Sequence, residues 1–168
     1  MENINSEPRL IHLYQFNQRM QPIKASTGCL DYTHAVQSYM KVVLPDAELL
    51  LLPKFFSSNE ADLYLEVLRT KVTWTQEQIK LYGKTYDVPR LTAWYGDVGK
   101  IYTYSGIRTV AMPWTAPLLE IKSAIEQASL APFNSVLLNY YRSGLDGVSW
   151  HSDDEPELGK NPIIASVS

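Results

Sequence analysis

The sequence predicts a mixed α+β domain, and three observations lead to this class. Two segments, near residues 57–72 and 115–128, place apolar residues at helical spacing directly after a capping signal. Short runs rich in β-branched and aromatic residues lie around them, bounded by glycine and proline. With 168 residues, 45% of them hydrophobic and 20% charged, the chain is long enough to bury the core of one such domain.

The first segment of the chain, residues 1–45, does not take part in this pattern. It shows no sustained periodicity and carries scattered amides and charges, which predicts a loosely packed N-terminal extension. The domain itself is then expected over residues 46–168. His12 and His34 lie in the extension without a second metal-binding residue at ligand spacing, which favours ordinary surface histidines.

The predicted domain begins with a strand at Ala47–Leu52. Ser57 and Glu60 then form a capping-box signal for a helix that packs one face on a sheet. The apolar stripe of this helix consists of Ala61, Tyr64, Leu65, Leu68 and Val72. The following residues, 79–84, predict a short hairpin with an aromatic residue beside a glycine at its turn.

A second hairpin is predicted from Leu91–Tyr95, a turn at residues 96–99, and a partner strand at Lys100–Ser105. This pairing would place Tyr102 and Tyr104 on one face of the sheet. Judged from residue type alone, they are aromatic residues at the rim of a half-buried sheet.

A second helix is predicted to begin after Thr115, which acts as N-cap, with Pro117 in the first turn. Its buried stripe is expected to contain Leu118, Ile121, either Ala124 or Ile125, and Ala128. We interpret this helix as scaffold.

Two strands with polar residues at strand spacing follow. Alternation over Ser135–Tyr141 places Leu137, Asn139 and Tyr141 on one face, and residues 142–147 supply a turn. If alternation resumes at Val148, His151 and Asp153 share a face. An imidazole and a carboxylate are two of the three ligands of the two-His-one-carboxylate triad that holds Fe(II). The tripeptide alone is a weak signal, since a solvated turn with a surface histidine has the same residues.

The longer string around this pair resembles the core of the AlkB family of Fe(II)/2-oxoglutarate dioxygenases. The string comprises Asn139-Tyr140-Tyr141, Gly144, Trp150-His151-Ser152-Asp153-Asp154-Glu155 and Pro162–Ser168, preceded by Pro89-Arg90, Tyr95-Gly96-Asp97, Tyr102–Gly106 and Pro113-Trp114. The resemblance covers about residues 75–168 and is greatest to the branch that repairs alkylated double-stranded DNA. It implies a double-stranded β-helix, or jelly-roll, dioxygenase core.

The resemblance also implies roles for individual residues. His151 and Asp153 would be catalytic as ligands of Fe(II), and Asn139 and Tyr141 would hydrogen-bond the co-substrate 2-oxoglutarate. On the substrate side, Leu81 and Tyr82 would form a finger that fills the gap left by a flipped base, and Arg90 would support the backbone or the finger. Tyr102 and Tyr104 would form the wall of the base pocket. Tyr102, Ser105 and Glu155 would contact the base. The family more often has phenylalanine where this chain has Tyr82.

The function implied is DNA repair by oxidative demethylation of N-alkylated bases, in which 2-oxoglutarate and oxygen yield succinate, carbon dioxide and formaldehyde. The partner would be alkylated DNA, most often double-stranded, and the complete enzyme a monomer. Two alternatives stay open. One is a 2-oxoglutarate oxygenase acting on RNA, protein or a small molecule; the other is a non-catalytic fragment that binds nucleic acid through its aromatic residues.

Charge and cysteine usage bear on these alternatives. A net charge of −3 favours a substrate other than nucleic acid, because phosphate contacts require Lys and Arg. A local basic stretch offsets this, consisting of Arg69, Lys71, Lys80, Lys84 and Arg90. The single Cys29 predicts a reducing, intracellular setting: the cytoplasm, or the nucleus in a eukaryote.

The last residues, Ile163–Ser168, form an apolar β run. In the family, further strands follow this run and carry the second histidine ligand, an arginine that binds 2-oxoglutarate and an arginine near the substrate. None of these has a match in this sequence. The expectation is that the chain is the N-terminal portion of a longer enzyme. Alone it would be inactive, because the second histidine ligand and the 2-oxoglutarate arginine are missing, and poorly soluble, because its β edge is open.

Overall fold

The structure is a computed structural model that describes residues 9–14, 39–45, 47–104, 107–149, 151, 153 and 156–168. Its elements, in chain order, are β1 Arg9–Tyr14, β2 Met40–Leu44, β3 Ala47–Leu51, α1 Ser58–Lys71, β4 Thr75–Leu81, β5 Lys84–Gly96, β6 Ile101–Tyr104, β7 Ile107–Val110, β8 Met112–Pro113, α2 Ala116–Ser129, β9 Ser135–Tyr140, a 3-10 turn at Pro156–Leu158, and β10 Ile164–Val167. They group into two compact units, Met20–Leu68 on the one hand and Met1–Arg19 with Arg69–Ser168 on the other.

The smaller unit contains the antiparallel β2–β3 hairpin and most of α1. In the hairpin, Met40 pairs with Leu51 and Leu44 with Ala47. The capping box of α1 is confirmed by three contacts: the Ser57 backbone N–H and hydroxyl donate to Glu60 Oε2 at 2.9 and 2.6 Å, and the Glu60 N–H donates to Ser57 Oγ at 3.4 Å. These reciprocal bonds satisfy N–H groups that the first turn of a helix otherwise leaves unpaired.

The larger unit is built on one sheet with the strand order β10-β1-β9-β5-β4, in which β8 also pairs with β5. Every pair except the short β5–β8 contact is antiparallel. The central strand β9 is buried at Ser135, Val136, Leu138 and Asn139, so both of its faces are covered. Antiparallel sheets with two helices confirm the predicted α+β class and agree with the first part of a jelly-roll domain.

Buried side chains of α2 and of the sheet form the core. Leu118, Ile121 and Ile125 are buried on α2, and burial of each contributes roughly 1.5–3 kcal/mol. Trp94 and Leu158 form a further buried cluster, against which Ala111, Leu137 and Ile164 pack. The prediction for Ala128 is wrong, because this residue lies in the last turn of α2, just before the left-handed Leu130, and is exposed.

The predicted pairing of Lys100–Ser105 with Leu91–Tyr95 is also wrong. β6 pairs instead with β7, from Ile101 opposite Val110 to Tyr104 opposite Ile107. The reason lies in β5, whose edges already pair with β4 and β9. The turn at residues 97–99 is present, with the Lys100 N–H donating to the Asp97 carbonyl at 3.1 Å.

Two strands, β1 and β2, lie within residues 1–45, where the sequence predicts none. β1 lies between β9 and β10, with Ile11 opposite both Leu138 and Val167. A six-residue run gives little periodicity to detect, which is why the strand could not be predicted from the sequence. The domain boundary at residue 46 stays a prediction.

The strand predicted to resume at Val148 is absent from the described residues 148, 149, 151 and 153. Both edges of β9 are occupied, by β5 and β1, so the returning chain has no free edge there. The final apolar run does form a strand, β10, which pairs with β1. Within the parts of the chain described here, no helix is both long and apolar enough to cross a membrane.

Candidate metal and co-substrate site

His151 and Asp153 lie close together even though no strand holds them. Their nearest atoms, His151 Nε2 and Asp153 Oδ1, are 3.4 Å apart. On the other side of the ring, Nδ1 lies 2.8 Å from the Ser149 carbonyl oxygen. A neutral imidazole that donates from Nδ1 to this carbonyl has its lone pair on Nε2, the atom that faces Asp153.

This arrangement fits a metal ion. Two ligand atoms at about 2.1 Å from one metal lie about 3.0 Å apart when they subtend a right angle, as in an octahedral site. The observed 3.4 Å is close to that value. A metal-bound histidine usually donates its other ring N–H to a carbonyl or a carboxylate, which fixes the orientation of the ring. The donor set therefore suits Fe(II), which accepts imidazole and carboxylate ligands.

The described residues contain no third histidine, cysteine, aspartate or glutamate that would complete a cluster around this pair. His151 and Asp153 stay the two ligands predicted from the sequence, and their role is taken up below as a proposal. His34 and Glu155 lie outside the described residues, and for His12 only the backbone of β1 is described.

Asn139 and Tyr141 occupy the end of β9 and are both buried, with 8% and 6% of their surface exposed. Asn139 Oδ1 has no hydrogen-bond partner among the described residues. A buried amide with an unmet polar atom is unfavourable unless a further molecule binds it, so this position suits a polar ligand. Burial raises the pKa of Tyr141 above 10, while the charge of Arg90 acts in the opposite direction. The Tyr141 hydroxyl is therefore protonated at neutral pH and can donate a hydrogen bond.

Arg90 lies in β5 next to this end of β9, since the following residue, Leu91, pairs with Tyr140. It is only 8% exposed, and its Nε has no hydrogen-bond partner among the residues the structure describes. Arg90 is thus buried, unlike the exposed lysines of the basic stretch. A buried guanidinium without a full set of partners favours the approach of an anion.

The hairpin tip between β4 and β5 consists of Tyr82 and Gly83. Both have positive φ, 49° and 78°, which is the conformation of a type I′ turn. Tyr82 is fully exposed, and Lys80 and Lys84 on either side are exposed as well. A bulky side chain in the left-handed region costs about 1 kcal/mol or more, so this tyrosine is not present for turn stability.

The other predicted substrate residues are described only in part. Tyr102 and Tyr104 lie in the β6–β7 hairpin, of which only the backbone is described at these positions, and the same holds for Leu81 at the end of β4. Ser105 and Glu155 lie outside the described residues. Their substrate roles remain predictions.

The sequence reading missed a polar network at the turn before His151. The Asp146 carboxylate binds the Arg142 guanidinium at 2.7 and 2.9 Å, and Arg142 also donates to Gln76 Oε1 at 3.0 Å. Hydrogen bonding to Asp146 raises the pKa of Arg142, and the same contact lowers the pKa of Asp146. The signal available in the sequence was the spacing of four between opposite charges at the two ends of a turn.

Comparison with known proteins identifies the family of this chain. The pattern of the 2OG-Fe(II) oxygenase superfamily matches residues 48–168. The chain is 48% identical over 119 residues to the alpha-ketoglutarate-dependent dioxygenase alkB homolog 3 of Mus musculus, which covers 70% of this chain and 41% of that protein. It is 38% identical over 116 residues to the DNA oxidative demethylase ALKBH2 of Homo sapiens, which covers 67% of this chain and 44% of that protein.

A third relative is the DNA oxidative demethylase ALKBH2 of Arabidopsis thaliana, 34% identical over 126 residues, or 73% of this chain and 40% of that protein. The chain thus spans about two fifths of the length of these relatives. The resemblance to the AlkB family drawn from the motifs is confirmed. The chain belongs to the 2OG-Fe(II) oxygenase superfamily.

Proposed function

We propose that this chain carries two metal ligands and part of the co-substrate site of an oxygenase that demethylates N-alkylated bases in DNA. The observation that carries the proposal is the approach of His151 Nε2 to Asp153 Oδ1 at 3.4 Å, with the other ring nitrogen held by the Ser149 carbonyl. The family match supplies the class of reaction. One set of relatives bears the name DNA oxidative demethylase, which supports DNA as the substrate.

Fe(II), when bound with 2-oxoglutarate and oxygen, supplies oxidation of an N-methyl carbon that no acid–base side chain could activate. The protein holds the components in place. The Ser149 carbonyl fixes the His151 ring so that Nε2 is available, and Asp153 offers a carboxylate oxygen beside it. Release of the oxidised methyl group as formaldehyde leaves the restored base.

Asn139 and Tyr141 are proposed to bind 2-oxoglutarate from the neighbouring strand. The buried Asn139 amide has an unmet polar atom, and the protonated Tyr141 hydroxyl is a donor suited to a carboxylate or keto oxygen. Both are nine-tenths buried, so such hydrogen bonds would form away from competing water.

On the substrate side, the base must leave the helical stack before oxidation, and a methyl group on its pairing edge lowers the cost of extrusion. Exposure of the Tyr82 ring at a hairpin tip suits insertion into the resulting gap. The exposed Lys80 and Lys84 are placed to contact phosphates on either side. Leu81, Tyr102, Tyr104, Ser105, Glu155 and Arg90 keep the substrate-binding roles proposed from the resemblance.

A second candidate is a 2-oxoglutarate oxygenase with a substrate other than DNA. The net charge of −3 favours it, because a protein that binds DNA mainly through phosphates is expected to be basic. RNA, a protein and a small molecule all belong to this alternative, and the charge favours the last two, because RNA also presents phosphates.

The test uses the chain extended at its C-terminus in the pattern of the family. It measures the formaldehyde released from N-methylated duplex DNA and the succinate released from 2-oxoglutarate. His151→Ala and Asp153→Ala should each abolish Fe(II)-dependent release, because the site would keep too few protein ligands. His34→Ala is the matched control and should retain activity. Turnover near the wild-type level in His151→Ala would refute the metal assignment, whereas 2-oxoglutarate turnover without DNA demethylation would support the second candidate.

A further inference from the structure

The residues joining β9 to His151 are held by a hydrogen-bonded network that a surface turn does not require. The Asp146 carboxylate accepts from Arg142 Nε at 2.7 Å, from Arg142 Nη2 at 2.9 Å and from the Arg142 backbone N–H at 2.9 Å. The Asp146 side chain is 9% exposed. Two parallel guanidinium bonds with a third from the backbone fix both ends of the turn in one geometry.

This turn is also attached to the sheet. Arg142 Nη1 donates to Gln76 Oε1 at 3.0 Å, and Gln76 Nε2 donates to the Val88 carbonyl at 2.7 Å and to the Arg90 carbonyl at 3.3 Å. The Gly147 N–H donates to the Pro89 carbonyl at 2.9 Å. Three successive carbonyls of β5, at residues 88–90, therefore accept bonds from the network, at the irregular register between Gln76 and Gln78.

Beyond Gly147 no strand is assigned to the described residues that carry the metal ligands. The next buried side chain on the described chain is Leu158, which packs with Trp94. On either side of His151 and Asp153, the described chain is anchored at Gly147 by its bond to the Pro89 carbonyl and at Leu158 by packing against Trp94. A shift of either end would alter the 3.4 Å spacing between the ligand atoms.

We propose that Arg142, Asp146 and Gln76 form a positioning unit, here termed the turn clamp, that sets the geometry of the metal ligands without contacting metal or substrate. The proposal rests on the metal site put forward under "Proposed function". Outer groups that orient metal ligands typically change metal affinity by about 10- to 100-fold when they are removed. The turn clamp acts one step further out, through the backbone between Gly147 and His151.

Hydrogen bonding between the two partners lowers the pKa of Asp146 and raises the pKa of Arg142, so both are ionised across the neutral range. Asp146→Asn keeps the shape of the side chain but removes the charge and one acceptor. Arg142→Lys keeps the positive charge but cannot form the paired bonds. These two variants separate charge from geometry.

The experiment uses Mn(II) as the probe on the chain extended at its C-terminus in the pattern of the family, with free Mn(II) counted by electron paramagnetic resonance. Mass-spectrometric hydrogen exchange of the peptide containing Gly147 is measured in parallel. Asp146→Asn should weaken Mn(II) binding about 10-fold and accelerate exchange at Gly147, with a smaller effect for Gln76→Ala. Arg142→Lys should resemble Asp146→Asn, because the geometry of the pair is lost. Lys41→Gln, which breaks the 2.9 Å ion pair with Glu48 in the β2–β3 hairpin, is the control and should change neither quantity.

His151→Ala separates this inference from the proposed function. If His151→Ala loses Mn(II) binding while Asp146→Asn and Arg142→Lys bind as tightly as the wild type, the turn clamp is only part of a stable turn and the inference is overturned. If His151→Ala binds Mn(II) like the wild type, the metal assignment itself fails and the turn clamp has no site to position. Full Mn(II) affinity in Arg142→Lys alone would assign the effect to charge and would also overturn the geometric inference.

Discussion

Tyr82 combines a backbone conformation that its side chain disfavours with full exposure of the ring. Asparagine followed by glycine is the favoured pair for a type I′ turn, so Tyr82→Asn should raise the free energy of unfolding by about 1 kcal/mol. Urea denaturation measures this change. Tyr86→Asn, the same exchange at an extended position of the same hairpin, is the control and should give no gain. A less stable Tyr82→Asn protein would show that the ring makes contacts that stabilise the fold.

Removal of the Tyr82 ring should also discriminate between DNA substrates. In the extended chain, Tyr82→Ala should reduce demethylation of duplex DNA more than that of single-stranded DNA, because only the duplex leaves a gap to be filled. Base stacking on an aromatic residue contributes roughly 1–3 kcal/mol. The comparison is kcat/KM on both substrates, with Tyr86→Ala as control. Equal losses on the two substrates would make Tyr82 an ordinary hairpin residue.

At this scale the sequence was informative where the functional residues are close together along the chain. His151 and Asp153 are two residues apart, so the sequence alone shows that their side chains can approach each other. Burial of Arg90 could not be predicted, because it depends on β9 lying beside β5. The role of Gln76 was equally hidden, since its partner Arg142 lies 66 residues away.

Among the elements, β1 most changes the expectation for residues 1–45, because it makes Arg9–Tyr14 a strand of the main sheet. It pairs with β9 on one edge and β10 on the other. Deletion of residues 1–14 should therefore expose an edge of β9, detach β10 and cause aggregation. Deletion of residues 1–8 leaves β1 intact and is the control. Unchanged cooperative thermal unfolding after the longer deletion would support the loosely packed extension predicted from sequence.

The turn between β9 and His151 should confer a pH dependence on stability. Arg142 lowers the folded-state pKa of Asp146 below its ordinary value of 3.8, so the contribution of this carboxylate is present above 3.8 and is lost as pH falls through the folded value. Asp146→Asn should thus be less stable than the wild type at about pH 7, and the difference should be smaller at about pH 3, below the ordinary value of 3.8. Urea denaturation at both values tests this. A constant difference between the proteins would assign the effect to packing.

Elements with local signals were predictable, and their partners were not. Ser57 and Glu60 lie within one helical turn, so the start of α1 could be read directly from the sequence. The partner of β6 depends on which edges of β5 are already occupied, and a run of residues does not contain that information. The same competition for edges explains why the residues after Val148 do not form the predicted strand.

For the molecule as a whole, the number of metal ligands sets the expected activity. The described residues provide His151 and Asp153 but no third member of a cluster. We expect no 2-oxoglutarate-dependent turnover from the 168-residue chain, and activity from a chain extended in the family's pattern that supplies a third ligand. Succinate and formaldehyde release at equal Fe(II) compares the two lengths. Repeated turnover by the shorter chain would redirect the search for the third ligand to His12 or His34.

The position of β1 also determines the order in which the sheet can assemble during synthesis. β1 is translated before β2–β8 and both helices, whereas the strands that flank it, β9 and β10, come after them in the chain. At roughly 5–20 residues per second, β1 waits on the order of ten seconds for its first partner. The β9–β1–β10 part of the sheet therefore forms only after β10 has been translated, and β1 lacks its strand partners until then.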